Sequence, residues 1–517
     1  MLLNNKTLQR AFLYLSILLF IYSFFNLLSY HFDLITHPYQ QEYREGAIIA
    51  ATDIILKGKS AYNLTTQPQY INVYGFTYNL FITPIAHIFG ASLFLHRLIS
   101  GFFIFGCVFL CFYHMCKQAS HPIYAACASL TIYIALLFPN TSTATAGPHS
   151  MGEFLFLLSI FIPIWYKFSY RSLSCALIVS LLAFYTKAYF VIGFPLLAIY
   201  LFLFRSKLKG VIAGTSFLII LILSSWIVFN IYDCYFTNAF FTHMNIAQNS
   251  DEHAPNQFKA YIPITKELLI ILFSVLLINL KLLSKTIKKN KPNLSFSFLK
   301  MNTPLINLPV DFISFMLIST TLLVYFKLGR ASGSWLAYLF QLISPFIILT
   351  IIKLIEKTPK TYYIWIGLIL WHITFLSTTR FPDLNNSISN WDKIEKRIEP
   401  FNDVFNTPAV VSILLDQNKE FYDNGFTEFS RNGIVRKSIF RGKLHNDMDV
   451  LYENIKFDKQ LSDKFKEKKF DLLVITENWA PLVPANITKY YKYIDSIQAP
   501  MPHSNQTWKV TFWLPKE

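Results

Sequence analysis

The sequence predicts a polytopic α-helical membrane protein that carries a small α/β domain at its C-terminus, on the outer side of the membrane. Composition is the first indication, because 53% of the 517 residues are hydrophobic, 17% are aromatic and 15% are charged, which is too apolar for a soluble protein of this length. The second indication is a series of apolar runs long enough to span a bilayer, and the third is a change to polar composition after residue 379.

The apolar runs predict about eleven membrane-spanning helices, because a hydrocarbon core of roughly 30 Å needs about 20 apolar residues per helix. All of them precede residue 379. They cover residues 11–29, 97–116, 122–138, 151–168, 173–187, 188–204, 211–231, 264–284, 309–327, 335–352 and 361–378. Residues 1–379 therefore form the predicted membrane domain.

The distribution of basic residues predicts the orientation of these helices. With the N-terminus in the cytoplasm, the cytoplasmic loops are rich in Lys and Arg and the alternate loops are poor in them, as membrane insertion requires. The cytoplasmic set includes Lys6, Arg10, Lys117, Arg171, Arg205, Lys209, Lys285, Lys289 and Lys357. Much of the net charge of +16 therefore has a topological cause, and we do not expect a nucleic-acid partner.

An odd number of spans places residues 380–517 outside the cytoplasm as a separate soluble domain. The segment PAVVSILLDQNKEF has helical spacing with Pro408 near its start, whereas FDLLVIT and WKVTFWLP are typical of strands. A small α/β module is therefore predicted. All six cysteines precede this domain and most lie in apolar runs, so the sequence indicates no disulfide framework.

The outer loop 30–96 contains the carboxylates that we consider first. The segment 45–57 has a helical pattern but is too short to span, which predicts a juxtamembrane helix with Glu45 at its N-terminus. The helix dipole would keep Glu45 ionised and able to accept a proton. An acidic first-turn residue is also a common helix-start device. Glu42 is an equal candidate on physical grounds, and Asp53 is a weaker one.

Tyrosines and asparagines recur through the rest of this loop. Tyr62, Tyr70, Tyr74 and Tyr78 alternate with Asn63, Asn72 and Asn79. Amphipathic aromatic residues prefer the membrane interface, so an ordinary aromatic belt is one interpretation. The other interpretation is a cleft for a carbohydrate or a lipid phosphate, because tyrosine rings and amide groups suit sugars.

Two outer turns carry cations that are candidates for binding a phosphate. The apolar stretch 173–204 has a basic residue at each end, which predicts a hairpin with Lys187 at its turn. Lys187 either extends to the headgroups or stabilises a lipid-phosphate leaving group. Arg330, in a Gly/Ser-rich turn, either holds a phosphate bidentately or flanks a helix without a ligand.

The sequence indicates no certain cofactor and no metal ligands, and it leaves dependence on a divalent metal open. His149, His243 and His253 lie in predicted outer loops without a metal-ligand spacing. The triplet Asp251–Glu252–His253 is the weak exception. The interpretation at this stage is that these histidines are solvated loop residues.

Taken together, these residues resemble the GT-C superfamily of membrane glycosyltransferases, which includes the aminoarabinose transferases and the protein O-mannosyltransferases. The resemblance covers most of residues 1–380 and also includes TKAYF around Lys187 and the late segment GSWLAYLFQLISP. The matching residues of the outer loop are Glu45, Gly46, Gly58, Tyr62, Tyr74, Tyr78, Pro84 and Gly90. The chain departs from the family pattern at Arg44, Gly147, His149, Ala337 and Gln341.

The resemblance implies sugar transfer with inversion, from a polyprenyl-phosphate donor to a glycan, lipid or protein acceptor on the outer face of the membrane. The low Gly content and the abundance of Phe, Ile, Lys and Asn resemble an AT-rich bacterial genome, which indicates a bacterial plasma membrane. It implies a carboxylate that accepts the proton of the acceptor, with Glu45 preferred and Glu42 as the alternative. Lys187 and Arg330 would bind the lipid phosphate, and Tyr74 and Tyr78 would contact sugar or membrane lipid.

Two other functions stay open on the sequence. A transporter or flippase of lipid-linked sugars also carries membrane charges, although usually within central helices and repeated halves. A non-catalytic subunit for assembly of cell-envelope polysaccharide would use its outer domain and keep the loop carboxylates for structure. Loss of activity in folded Glu42 and Glu45 variants would argue against this last function.

Overall fold

Helices account for most of the described residues that precede residue 380. The computed structural model describes residues 6–118, 122–139, 141–241, 254–290, 300–328, 338–357, 381–427, 447–477 and 482–517. The helices before residue 380 are α1 (Lys6–Thr36), α2 (Glu45–Leu56), α3 (Thr77–Phe89), α4 (Leu93–Lys117), α5 (Pro122–Leu136), α6 (His149–Trp165), α7 (Tyr170–Thr186), α8 (Gly193–Phe204), α9 (Lys207–Ile231), α10 (Ala254–Asn290), α11 (Phe312–Phe326) and α12 (Ser344–Lys357).

Three helices within these described ranges are long and apolar enough to cross a membrane. They are Ile17–Thr36, which is the C-terminal part of α1, together with α4 and α9. Shorter apolar helices of 10–17 residues include α6, α7 and α11. Ten of the predicted apolar runs coincide at least in part with helix, and the run 361–378 lies outside the described residues. The number of spans stays a prediction.

The hairpin predicted for residues 173–204 is confirmed as a helical hairpin. Its first arm, α7, begins after Ser169, whose side chain accepts a hydrogen bond from the backbone N–H of Ser172. It ends at Lys187, and a short 3₁₀ segment, Ala188–Ile192, leads into α8. Lys187 therefore lies at the turn, as the charge pattern predicted.

The outer loop forms two helices joined by a compact segment. The predicted helix 45–57 is α2, and α3 was not predicted from the pattern. Between them, Gly75 donates its backbone N–H to the carbonyl of Thr186. A Cβ on Gly75 would lie 1.8 Å from the carbonyl oxygen of Tyr185, so only glycine allows the loop to approach the hairpin turn this closely.

The C-terminal segment contains a four-stranded sheet, as the sequence predicted for an α/β module. Strands β1 (Val404–Asn406), β2 (Leu472–Thr476), β3 (Tyr491–Met501) and β4 (Gln506–Pro515) stand in the order β1-β2-β4-β3. The β1-β2 pair is parallel and the other pairs are antiparallel. The accompanying helices are α13 (Ile388–Ile398), α14 (Val411–Asp416) and α15 (Asp447–Lys466).

This sheet domain packs directly on the outer loop. Its core contains Trp391 and Val411, and Tyr39 and Ala50 from the hinge and α2 belong to the same apolar cluster. Gly46 meets Val411 so closely that a Cβ there would lie 2.6 Å from the valine Cβ. The hinge between α1 and α2 is consequently enclosed between the helices that precede residue 380 and the sheet domain.

Candidate functional site

A cluster of polar side chains converges where the hinge, the outer loop and the helical hairpin meet. We call Glu42, Arg44, Tyr74, His149 and Lys187 the polar cluster. The Nε of Arg44 lies 2.7 Å from Oε1 of Glu42, and its NH1 donates to the Tyr74 hydroxyl at 3.2 Å. The loop between α5 and α6 joins the cluster through Ser142, whose Oγ accepts from NH2 of Arg44 at 2.7 Å.

Lys187 approaches the same tyrosine from the hairpin turn. Its Nζ lies 4.8 Å from the centre of the Tyr74 ring and 5.0 Å from that of Tyr189, which is the geometry of a cation–π contact. The same Nζ lies 2.9 Å from Nδ1 of His149. No carboxylate forms an ion pair with Lys187 within the described ranges, and burial, together with the nearby Arg44, holds the pKa of Lys187 well below its usual value.

Glu42 is the carboxylate of the polar cluster. Its side chain is 6% exposed and accepts hydrogen bonds from Nε and from the backbone N–H of Arg44. Burial raises the pKa of Glu42 above its usual value, although the neighbouring Arg44 acts in the opposite direction. A carboxylate with a raised pKa accepts a proton more readily than an exposed one, which suits a general base.

Glu45 lies next to the polar cluster, but both of its carboxylate oxygens already accept hydrogen bonds. Its Oε1 accepts from Nε of Arg97 and from the backbone N–H of Ala146, at 2.7 and 2.8 Å. Its Oε2 accepts from NH2 of Arg97 at 2.7 Å and from the backbone N–H groups of Gln41 and Glu42. Both partners of this ion pair are completely buried.

This geometry disfavours the role of base that the sequence suggested for Glu45. Burial raises the pKa of Glu45, but the Arg97 guanidinium and the backbone donors outweigh it and hold the pKa below the usual value. All of its good acceptor positions are used, so no position is left for a proton from a substrate hydroxyl. The role of base therefore stays a prediction, and of the two candidate carboxylates the geometry favours Glu42.

The ion pair between Glu45 and Arg97 also holds the hinge between α1 and α2 in place, and we call this pair the clamp. Arg97 makes most of the contacts. Besides Glu45, its guanidinium donates to the backbone carbonyls of Leu34, His37 and Tyr39. Glu45 in turn accepts from the backbone N–H of Glu42. The pair consequently fixes the path of the chain on both sides of Glu42 and so orients that carboxylate.

The two tyrosines chosen from the sequence have different positions. Tyr74 belongs to the polar cluster, as described above. Tyr78 is completely buried, and its hydroxyl donates to the carbonyl of His96 at 3.2 Å. Tyr78 therefore packs α3 against α4, which disfavours a substrate contact, and neither tyrosine belongs to an exposed aromatic belt.

Two further sequence candidates lie outside the described residues. They are Arg330 and the triplet Asp251–Glu252–His253. Within the part of the chain that the structure covers, no group of three or more His, Cys, Asp or Glu side chains is arranged to hold a metal ion. Dependence on a divalent metal therefore stays open, and the phosphate-binding role of Arg330 stays a prediction from the sequence.

A second polar layer lies beside the cluster on α6 and the segment before α12. Tyr189 donates to Oε1 of Gln341, whose amide donates to Thr143 at 2.8 Å. Glu153, one helical turn after His149, is completely buried, and neither of its carboxylate oxygens has a hydrogen-bond partner among the residues described. An ionisable group placed in this way inside an apolar helix is a feature of functional sites.

Sequence reasoning missed Arg97 and misjudged His149. Arg97 stands at the edge of an apolar run, where an arginine usually marks a helix end, and nothing in its neighbours indicates a partner 52 residues earlier. His149 was interpreted as a solvated loop residue, but it begins α6 and is 3% exposed. The signal for His149 was its position directly before an apolar run.

The arrangement combines a guanidinium, from Arg44, and an amine, from Lys187, with the Glu42 carboxylate of raised pKa. The Arg44 guanidinium contacts the Tyr74 hydroxyl and the Lys187 amine lies over the Tyr74 ring, and both groups suit an anionic ligand such as a phosphate. Glu42 provides a proton acceptor held by Arg44. Displacement of a phosphate leaving group by a hydroxyl needs groups of both kinds. No known family model matches this chain, and no curated protein is significantly similar to it.

Proposed function

We propose that this protein is a glycosyltransferase that moves a sugar from a polyprenyl-phosphate donor to an acceptor at the outer face of a bacterial plasma membrane. The observation that carries the proposal is the convergence of Glu42, Arg44 and Lys187 around Tyr74. The three charged groups come from two segments about 140 residues apart, and their meeting matches the chemistry of a phosphate leaving group and a proton acceptor.

In this mechanism the acceptor hydroxyl lies against Glu42, which removes its proton as the new glycosidic bond forms. The anomeric C–O bond of the donor breaks at the same time, and the electron pair leaves with the lipid phosphate. Arg44 and Lys187 stabilise the negative charge that develops there. Attack on the face opposite the leaving group inverts the anomeric carbon. The N-terminus would be cytoplasmic, and residues 380–517 would lie outside.

The lipids that co-purify with the detergent-solubilised protein test the proposal. We expect mass spectrometry to find a polyprenyl-phosphate sugar with the wild type, and at least about tenfold less of it with Lys187→Met, because the cation that holds the phosphate is lost. Lys209→Met is the matched control, since Lys209 also lies over a tyrosine ring, at 5.3 Å from Tyr170. Bulk phospholipid alone in every preparation would contradict the donor assignment.

The pH dependence of transfer provides a separate prediction. A general base acts as the carboxylate, so the rate falls as the pH drops through the pKa of Glu42. Burial raises that pKa, and the loss should therefore begin above the usual Glu value of about 4.3. Arg44→Met removes the cation that lowers the pKa, so the acid limb of kcat/KM should move to higher pH. An acid limb that does not move would contradict Glu42 as the base.

Glu153 supports one alternative, a proton-coupled carrier of lipid-linked sugars. A buried carboxylate without a described partner can take up and release a proton during transport. The test is movement of a fluorescent polyprenyl-phosphate sugar across proteoliposomes with and without a pH gradient. Gradient-dependent movement that Glu153→Gln abolishes, without any transfer to an acceptor, would favour the carrier over the transferase.

A further inference from the structure

A polar cleft of about 380 Å³ lies between the outer loop and the sheet domain. The C-terminal end of α2 and the segment 65–70 form one wall, and α15 forms the other. This cleft does not include the polar cluster. The residues that matter for its chemistry are Lys57, Lys59, Gln69, Tyr70, Lys456 and Gln460.

The lining of the cleft combines positive charge with amides and aromatic rings. Three lysines and one glutamate, Glu453, line it, and two of the lysines have an acidic partner. Lys57 pairs with Asp53 at 2.6 Å and Lys456 with Glu453 at 3.4 Å. Lys59 is exposed, and its ammonium has no ion-pair or hydrogen-bond partner among the described side chains. Such a site suits an anionic, hydroxyl-rich ligand.

The cleft connects to the polar cluster along two short paths. Tyr70 lines the cleft and Tyr74 belongs to the cluster, and four residues of extended chain span at most about 14 Å. Helix α2 runs from Glu45, beside the cluster, to Leu56, beside Lys57, a length of roughly 17 Å. The cleft and the polar cluster are therefore separated by no more than a few sugar lengths.

We propose that this cleft binds a carbohydrate chain carrying carboxylate groups, as part of the acceptor. The role of this carbohydrate as the acceptor rests on the proposed function, whereas its binding depends on the cleft alone. The lysines bind the carboxylates, and Tyr70 and Phe457 provide apolar faces for the rings. Hydroxyls bind to Gln460 and to Oε1 of Gln69, whose amide nitrogen already donates to Glu420 and to the carbonyl of Phe421. A concave site with amides and aromatic rings between its lysines favours a carbohydrate over a flat anionic lipid surface.

Binding of tetragalacturonate to the full-length protein in detergent tests this inference, with neutral maltotetraose as the comparison. We expect saturable binding of tetragalacturonate by calorimetry, weakened about fivefold or more by Lys59→Ala and by Lys456→Ala. Rising salt should also weaken it. Lys466→Ala is the matched control, because Lys466 also lies on α15 and pairs with an acid three residues earlier, Asp463, at 3.5 Å.

Other outcomes overturn the inference. Absence of saturable tetragalacturonate binding, equal effects of all three substitutions, or equal affinity for maltotetraose would each contradict it. Binding to vesicles of anionic phospholipid that depends on Lys59 and Lys456, without tetragalacturonate binding, would assign the cleft to lipid. Because no sugar donor is present, failure of the proposed transferase activity would leave the binding result intact, and the two failures are distinguishable.

Discussion

Replacement of Glu42 by glutamine is expected to lower the rate of sugar transfer by about 10²–10⁴-fold, which is the usual contribution of a general base. Glutamine keeps the shape of the side chain and one oxygen, so it retains one of the two hydrogen bonds that Glu42 accepts from Arg44, from Nε on Oε1 and from the backbone N–H on Oε2. It cannot accept the proton of the acceptor hydroxyl. The measurement is transfer of labelled sugar by purified protein, with the amount of folded protein determined by size-exclusion chromatography.

The matched control for this prediction is Asp53→Asn. Asp53 is a carboxylate of the same outer loop, but it forms an exposed ion pair with Lys57 at the other end of α2. We expect its substitution to leave the transfer rate within about twofold, because a surface pair of this kind contributes little. Equal rates for wild type and Glu42→Gln would exclude Glu42 as the base, whereas equal losses in both variants would indicate a nonspecific effect.

Replacement of Arg97 by methionine is expected to lower the free energy of unfolding by about 3–5 kcal/mol, because it leaves the buried Glu45 carboxylate without its counter-charge. The carbonyls of Leu34, His37 and Tyr39 lose their donors in the same step. Thermal unfolding of the solubilised protein measures the effect as a lower Tm. Transfer should fall as well, since the hinge that carries Glu42 is released.

An exposed ion pair provides the comparison for Arg97. Arg397 pairs with Asp495, and both side chains are more than 40% exposed, so Arg397→Met should cost under about 1 kcal/mol. The double variant Arg97→Met/Glu45→Gln should recover part of the lost stability, because no unpaired charge is then buried. A Tm for Arg97→Met that equals the Tm of Arg397→Met would show that the clamp does not stabilise the fold.

The same clamp changes what we expect of Glu45. From the sequence alone, Glu45→Gln should abolish transfer while leaving stability nearly intact. In the structure, Glu45 accepts from the Arg97 guanidinium and from three backbone N–H groups. We now expect Glu45→Gln to reduce stability first, with any loss of transfer following from the displaced hinge.

Patterns local to the chain determined much of this fold. Apolar runs predicted the helices of the membrane part, because burial in lipid or protein imposes the same composition on each helix. Charges at both ends of the stretch 173–204 predicted the hairpin with Lys187 at its turn, and the β-rich runs FDLLVIT and WKVTFWLP predicted β2 and β4. The sequence also narrowed the candidate carboxylates to Glu42 and Glu45.

Tertiary structure alone decided which of those carboxylates has a free acceptor position. Glu42 and Glu45 are three residues apart and chemically alike, so no local pattern distinguishes them. Their difference comes from Arg97 and Ala146, which lie 52 and 101 residues further along the chain and meet Glu45 only after folding. The partners of a buried side chain depend on packing between distant segments. For that reason the sequence provided both candidate carboxylates, whereas only the fold showed the partners of each.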